Sequence, residues 1–166
     1  MKIPYSMQQL IDSIKSENLF HAACDSMSFW NAFQWEESPG WETWHTPAET
    51  ITRQQGVCHD FAIGNYYTLL AYGIPESNLE VIGVRLSDDQ MHMICTASDS
   101  SGEYVLDSRK QEAALLDDCR DEYQPIYGIS GSKMYVYRPD WTVLAMEPSS
   151  NASLWVDLQS RMEKEK

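Results

Sequence analysis

The chain has 166 residues, 43% of them hydrophobic, with 6 Trp, 9 Tyr and 4 Phe, enough apolar material for one self-sufficient core and too much for a disordered chain. Its 12 basic and 25 acidic residues give a net charge of −13, and with no basic patch to offset it the chain is not expected to bind nucleic acid or an anionic membrane. No run approaches the roughly 18 apolar residues of a membrane span, and the opening MKIPYSMQQLIDSIKSENLF lacks the continuous apolar stretch of a secretory signal, so the cytoplasm is the expected compartment.

Met7, Leu10, Ile11 and Ile14 recur at helical spacing and predict a helix over Ser6–Phe20 with Ser6 as its cap. Phe20–Trp35 reads as a second, aromatic-rich helical region. Glu36–Glu49, with two prolines and a glycine, reads as an ordered loop anchored by Trp41 and Trp44. It leads into a short helix that starts at Thr46, where Pro47 and Glu49 complete a capping box. Gly56 then breaks the chain. From Cys58 to Tyr72 the apolar positions predict a long, mostly buried helix, stopped by Gly73 and Pro75.

The period then changes from helix to strand. Leu79–Leu86, Gln90–Ser98 and Glu103–Ser108 read as three strands joined by tight turns, an antiparallel meander. Met134–Arg138 is a fourth strand and Trp141–Ala145 a fifth. Asp117–Tyr123 reads as a solvated acidic face. The tail from about Met146 is polar, with a short helix at Ala152–Lys164. No linker or repeat divides residues 1–166, so the expectation is a single α+β domain, helices first and sheet second.

Three placements carry chemistry. Cys58 opens the central helix, where the dipole and free N–H groups favour a thiolate. His92 lies on the second strand, and alternation turns it to the face opposite Met91 and Met93. Asp107 ends the third strand. Neighbouring antiparallel strands bring His92 and Asp107 side by side, and the helix packed on the sheet presents Cys58, giving nucleophile, base and orienting acid. The plainer alternatives are a buried thiol and a core histidine. His59, next to Cys58, is a poor base because residues i and i+1 of a helix do not face each other. A metal held by Cys58, His59 and Asp60 needs ligands from elsewhere, and Cys24, Cys58, Cys95 and Cys119 include no CxxC pair, so reduced thiols and no metal or cofactor are expected.

The stretches FWNAFQW, WHTPAETITRQQGVCHDFAIGNYYTL, HMICT, YVLDS and YQPIYGIS resemble the bacterial transglutaminase-like cysteine proteinases, relatives of the periplasmic protease that releases biofilm adhesins. The resemblance covers about three quarters of the chain. It implies a papain-like fold, a Cys58–His92–Asp107 triad, a protein or peptide substrate, and hydrolysis through an acyl-enzyme. Amine transfer and a non-catalytic binding module on the same fold are the alternatives. The Cys58 N–H supplies part of an oxyanion hole on this reading, with Gln34, Asn31 and Trp41 as side-chain candidates. The adhesin-releasing relatives resemble DCED around the nucleophile, with acids that help bind calcium. This chain has Val57 and His59 in those places, which do not suit a hard cation.

Overall fold

The computed structural model describes residues 1–15, 18–37 and 43–165. Its elements in chain order are helix α1 (Tyr5–Ser13), α2 (Leu19–Asn31), strand β1 (Gln34–Trp35), α3 (Pro47–Arg53), β2 (Gln55–Gly56), α4 (Cys58–Tyr72), β3 (Leu79–Leu86), β4 (Met91–Asp99), β5 (Gly102–Leu106), β6 (Ala114–Leu115), α5 (Leu116–Cys119), β7 (Tyr123–Ser130), β8 (Lys133–Tyr137), β9 (Val143–Pro148) and α6 (Ser153–Lys164).

The first helix is shorter than its apolar pattern suggests. Ser6 lies inside α1, which ends at Ser13. The next helix begins where Asn18 offers its side-chain oxygen to the His21 N–H, so the cap rather than the hydrophobic period sets the boundary. The Thr46 box forms as expected: the Thr46 hydroxyl accepts from the Glu49 N–H and the Glu49 carboxylate from the Thr46 N–H.

Helix α4 is buried on nearly every side from Cys58 to Leu69. A helix enclosed in this way must satisfy its polar groups inside the protein. Asn65 accepts from the Ser26 hydroxyl at 2.7 Å, and Thr68 accepts from the Trp30 indole N–H at 2.9 Å. Gly64 lets α2 come close, because a β-carbon there would sit 2.5 Å from the Trp30 ring. Gly73 ends the helix at φ 126°, a conformation that suits glycine.

A seven-stranded sheet, ordered β6-β5-β4-β3-β7-β8-β9, covers the other side of α4. The predicted β3–β4–β5 meander is present, with Val84 opposite His92 and Cys95 opposite Leu106. Between β3 and β8 lies β7, whose interior Pro125 and Gly128 hide it from a propensity reading. The ladder shifts register between Gly83 and Val84, which accommodates Pro125 opposite Val84. One face of the sheet packs Met93, Cys95 and Ala97 against the helices, and the other buries Ile82, Val84, Ile94 and Tyr123.

The helix expected at Ala152–Lys164 forms as α6, and it is docked on the core rather than left on the surface. Trp155, Leu158 and Met162 of α6 are buried in the main core, and Arg161 bonds to the Trp44 carbonyl and the Glu49 carboxylate. The acidic run likewise ends inside the protein: Asp117, Asp118, Asp121 and Glu122 are exposed, while Cys119 and Tyr123 are buried. All four cysteines are free thiols.

Candidate active site

Cys58 is the first residue of α4, 3% exposed, and backbone hydrogen bonds from Met93 and His59 reach its thiol. Met93 is the neighbour of His92 in β4, so the start of the helix meets the strand that carries the histidine. Burial pushes the Cys58 thiol up to about 11, against those two hydrogen bonds, and the charges of Asp60 and Asp107 push the same way. The hydrogen bonds at the helix start act in the expected direction, toward the thiolate, and burial acts against them and outweighs them.

The structure joins His92 to Asp107. His92 Nε2 lies 2.8 Å from Asp107 Oδ1, and both side chains are almost fully buried. With Nε2–H donating to the carboxylate, Nδ1 is the nitrogen left with a lone pair. Asp107 follows the last residue of β5 and sits among donors. Arg109 contributes its backbone N–H at 2.9 Å, Nη2 at 2.7 Å and a forked Nε, and Tyr123 donates its hydroxyl at 2.6 Å. Burial alone would raise the carboxyl, but the hydrogen bonds from His92, Arg109 and Tyr123 hold it well below the usual carboxylate range. Arg109 also covers the Tyr123 ring at 5.8 Å. Neither partner was singled out in the sequence: Arg109 is one cation in a turn, and Tyr123 closes an acidic run.

The oxyanion candidates separate. Asn31 donates its amide to the Lys110 carbonyl at 3.0 Å and lines a cavity with Cys24, Ser108 and Arg109, so it braces the loop after Asp107. Gln34 is exposed on β1, opposite Gln55 in the parallel pair that leads directly into Cys58. Trp41 lies outside the described residues.

Beside His92 opens a cavity of about 580 Å³, walled by Trp44, Met91, Met93, Tyr127 and Leu154, with His59, Gln90 and Gly83 completing its lining. Trp44, Tyr127 and Leu154 also line an adjoining hollow with Met134 and Ala152, so the apolar groove continues toward α6. Tyr127 is pushed up to about 12 by burial, with the Cys58 charge adding to the shift. Trp44 stacks on His59, centroids 6.2 Å apart and planes 29° apart, and burial pulls the His59 imidazole below its ordinary value. Asp60 caps α4 by accepting from the Val57 N–H at 3.1 Å, and its other oxygen accepts from the His45 N–H at 3.0 Å. His45, absent from the sequence reading, thus joins the surroundings of Cys58.

A papain-like α+β fold with a cysteine at the start of the central helix, its thiol bonded from the strand that carries a buried His–Asp pair, fits a cysteine peptidase of the transglutaminase-like type. The model of the family described as bacterial transglutaminase-like cysteine proteinase matches residues 30–137, and the chain belongs to that family. It is similar to EGTA-treated LapG of Legionella pneumophila, with 28% identity, 95% of this chain and 86% of that one covered, and a TM-score of 0.82. Against calcium-bound LapG of the same organism the values are 28%, 95%, 87% and 0.78. A Cytophaga hutchinsonii chain shares the fold alone, at 16% identity and a TM-score of 0.56, over 86% of this chain and 48% of that one. No curated protein gives a significant match. The protein is a cysteine-dependent hydrolase of peptide or amide bonds, and its substrates are proteins or peptides.

Calcium bound to LapG raises the question of a cation here. Calcium takes six to eight oxygen ligands. Among the described residues flanking Cys58, only Asp60 offers a carboxylate, and both its oxygens already accept backbone or imidazole hydrogen bonds. The donors at this position do not fit calcium.

Proposed function

We propose that Cys58 is the nucleophile of this peptidase, His92 its general base and acid, and Asp107 the residue that orients His92. The observation that carries the reading is the buried His92–Asp107 hydrogen bond of 2.8 Å on the strand whose next residue, Met93, bonds the Cys58 thiol. Nδ1 of His92 takes the thiol proton as Sγ attacks the substrate carbonyl, then returns it to the leaving amine. A thioester forms, and water activated by the same nitrogen releases the acid. The Cys58 N–H and Gln34 are the oxyanion donors of the proposal, supported by the β1–β2 pairing that holds Gln34 close in the fold to the chain entering α4.

The apolar walls of the cleft support a substrate that places an apolar side chain beside the scissile bond, bound as an extended peptide along Trp44, Tyr127 and Leu154. The net charge of −13 supports the exclusion of nucleic acid and anionic membranes, and the four free thiols support a reducing, cytoplasmic setting for one catalytic domain spanning 1–166. The test is hydrolysis of a mixed fluorogenic peptide library by the wild type and by Cys58→Ala. Cleavage by the wild type next to apolar residues, lost in the variant, supports the reading, and cleavage retained by Cys58→Ala ends it.

A further inference from the structure

His45, His59 and Asp60 place three ligand atoms within 4.8 Å of one another at the start of α4. We propose that these residues form a binding site for a borderline divalent transition metal, zinc being the representative, in place of a calcium site. Oδ1 of Asp60 lies 3.0 Å from His45 Nδ1 and 3.4 Å from His59 Nε2. A tetrahedral centre with bonds of about 2.0–2.1 Å holds its ligand atoms about 3.3 Å apart, which these two separations bracket. Two imidazoles and one carboxylate suit zinc, cobalt or nickel and leave a fourth position open.

A second observation points the same way. His45 Nδ1 faces two neighbours with opposite demands. Asp60 Oδ1 at 3.0 Å needs a proton or a cation on that nitrogen, whereas Arg53 Nη1 at 3.1 Å needs its lone pair. No tautomer satisfies both. A metal between Nδ1 and Oδ1 resolves the contact with Asp60, and Arg53 turns to Glu36, which its Nη2 already meets at 2.7 Å. His45 follows Trp44 directly, and Trp44 stacks on His59, so the metal ties one wall of the cleft to the start of α4. Cys58 is not a member of the cluster, and the site does not depend on catalysis.

The test uses the full chain and metal alone. Calorimetry with Zn²⁺ is expected to show one site per chain, with no comparable heat from Ca²⁺, and saturation should raise the melting temperature. Cobalt substitution should give visible d–d bands of a tetrahedral site without sulfur-to-metal charge transfer. His45→Gln should weaken binding at least about tenfold, Cys58→Ser should leave it unchanged, and Arg53→Gln, which keeps all three donors and removes the competing cation, should bind at least as tightly. Lack of saturable Zn²⁺ binding, a cobalt spectrum dominated by thiolate, equal binding of Ca²⁺, or full affinity in His45→Gln would each overturn the proposal, while the hydrolysis lost in Cys58→Ala would stand.

Discussion

Asp107→Asn changes one atom of the proposed triad and removes a charge. Every group that meets the carboxylate is a donor: His92 Nε2, the Arg109 N–H and guanidinium, and the Tyr123 hydroxyl. A primary amide has one accepting oxygen and one donating nitrogen, so it cannot serve both sides. The guanidinium Nη2, which cannot accept, and the Tyr123 hydroxyl meet Oδ2, so the amide oxygen takes that side and the NH₂ takes the Oδ1 side, facing His92 and, as a second donor-to-donor contact, the Arg109 N–H. His92 Nε2 must then accept, which moves the ring proton to Nδ1, the nitrogen that should receive the thiol proton. The expected loss is about 10⁴-fold in kcat, or about 5.4 kcal/mol of barrier at 1.36 kcal/mol per decade. Loss of a buried charge-assisted pair should cost about 1–3 kcal/mol of stability. The assay is kcat and KM on a fluorogenic peptide with an apolar residue at the scissile bond, with circular dichroism to confirm folding. A folded Asp107→Asn enzyme within tenfold of wild type would refute the tautomer argument.

Three further outcomes follow from the same structure. In His92→Ala the thiol must ionise unaided, and since burial holds Cys58 at about 11, its rate of alkylation by iodoacetamide should climb from pH 8 toward about 11; a plateau below pH 8 would contradict this. Gly64→Ala drives a β-carbon to 2.5 Å from the Trp30 ring, itself pinned by Thr68, and should destabilise by about 1–3 kcal/mol in urea melts; an unchanged midpoint would show that the helices part freely. Burial raises Glu80 from 4.5 to about 7. Its folded-state pKa is the higher one, so stability from its neutral form is fully present below pH 4.5 and is lost as pH rises through about 7. Glu80→Gln should therefore match wild type at pH 4 and melt higher at pH 8, and the opposite ordering would reverse the sign argument.

Much of the fold is written in local signals. Thr46, Pro47 and Glu49 mark a helix start because their own side chains close the cap, and Gly73 marks the end of α4 because few other residues tolerate its φ. The β3–β5 meander is legible from apolar strands between short polar turns, which in turn places His92 near Asp107. What the sequence conceals depends on distant partners. Strand β7 carries Pro125 and Gly128, which a lone strand would reject, and it is stabilised by β3 and β8 on its two sides. Helix α6 looks polar because its buried Trp155, Leu158 and Met162 are few among charged neighbours. Arg109, Tyr123 and His45 have no spacing relation to the residues they support, so only the folded chain brings them there.

With the proposed triad, chemistry rather than accessibility selects Cys58. Accessibility alone favours Cys24, which is half-buried, over the fully buried Cys58, Cys95 and Cys119. The direct measurement is peptide mapping by mass spectrometry after brief exposure of the native protein to a peptidyl vinyl sulfone with an apolar side chain at the position next to the electrophile. A single adduct at Cys58, absent from His92→Ala, is the predicted result. An adduct that appears first at Cys24, or equally on all four thiols, would contradict the account.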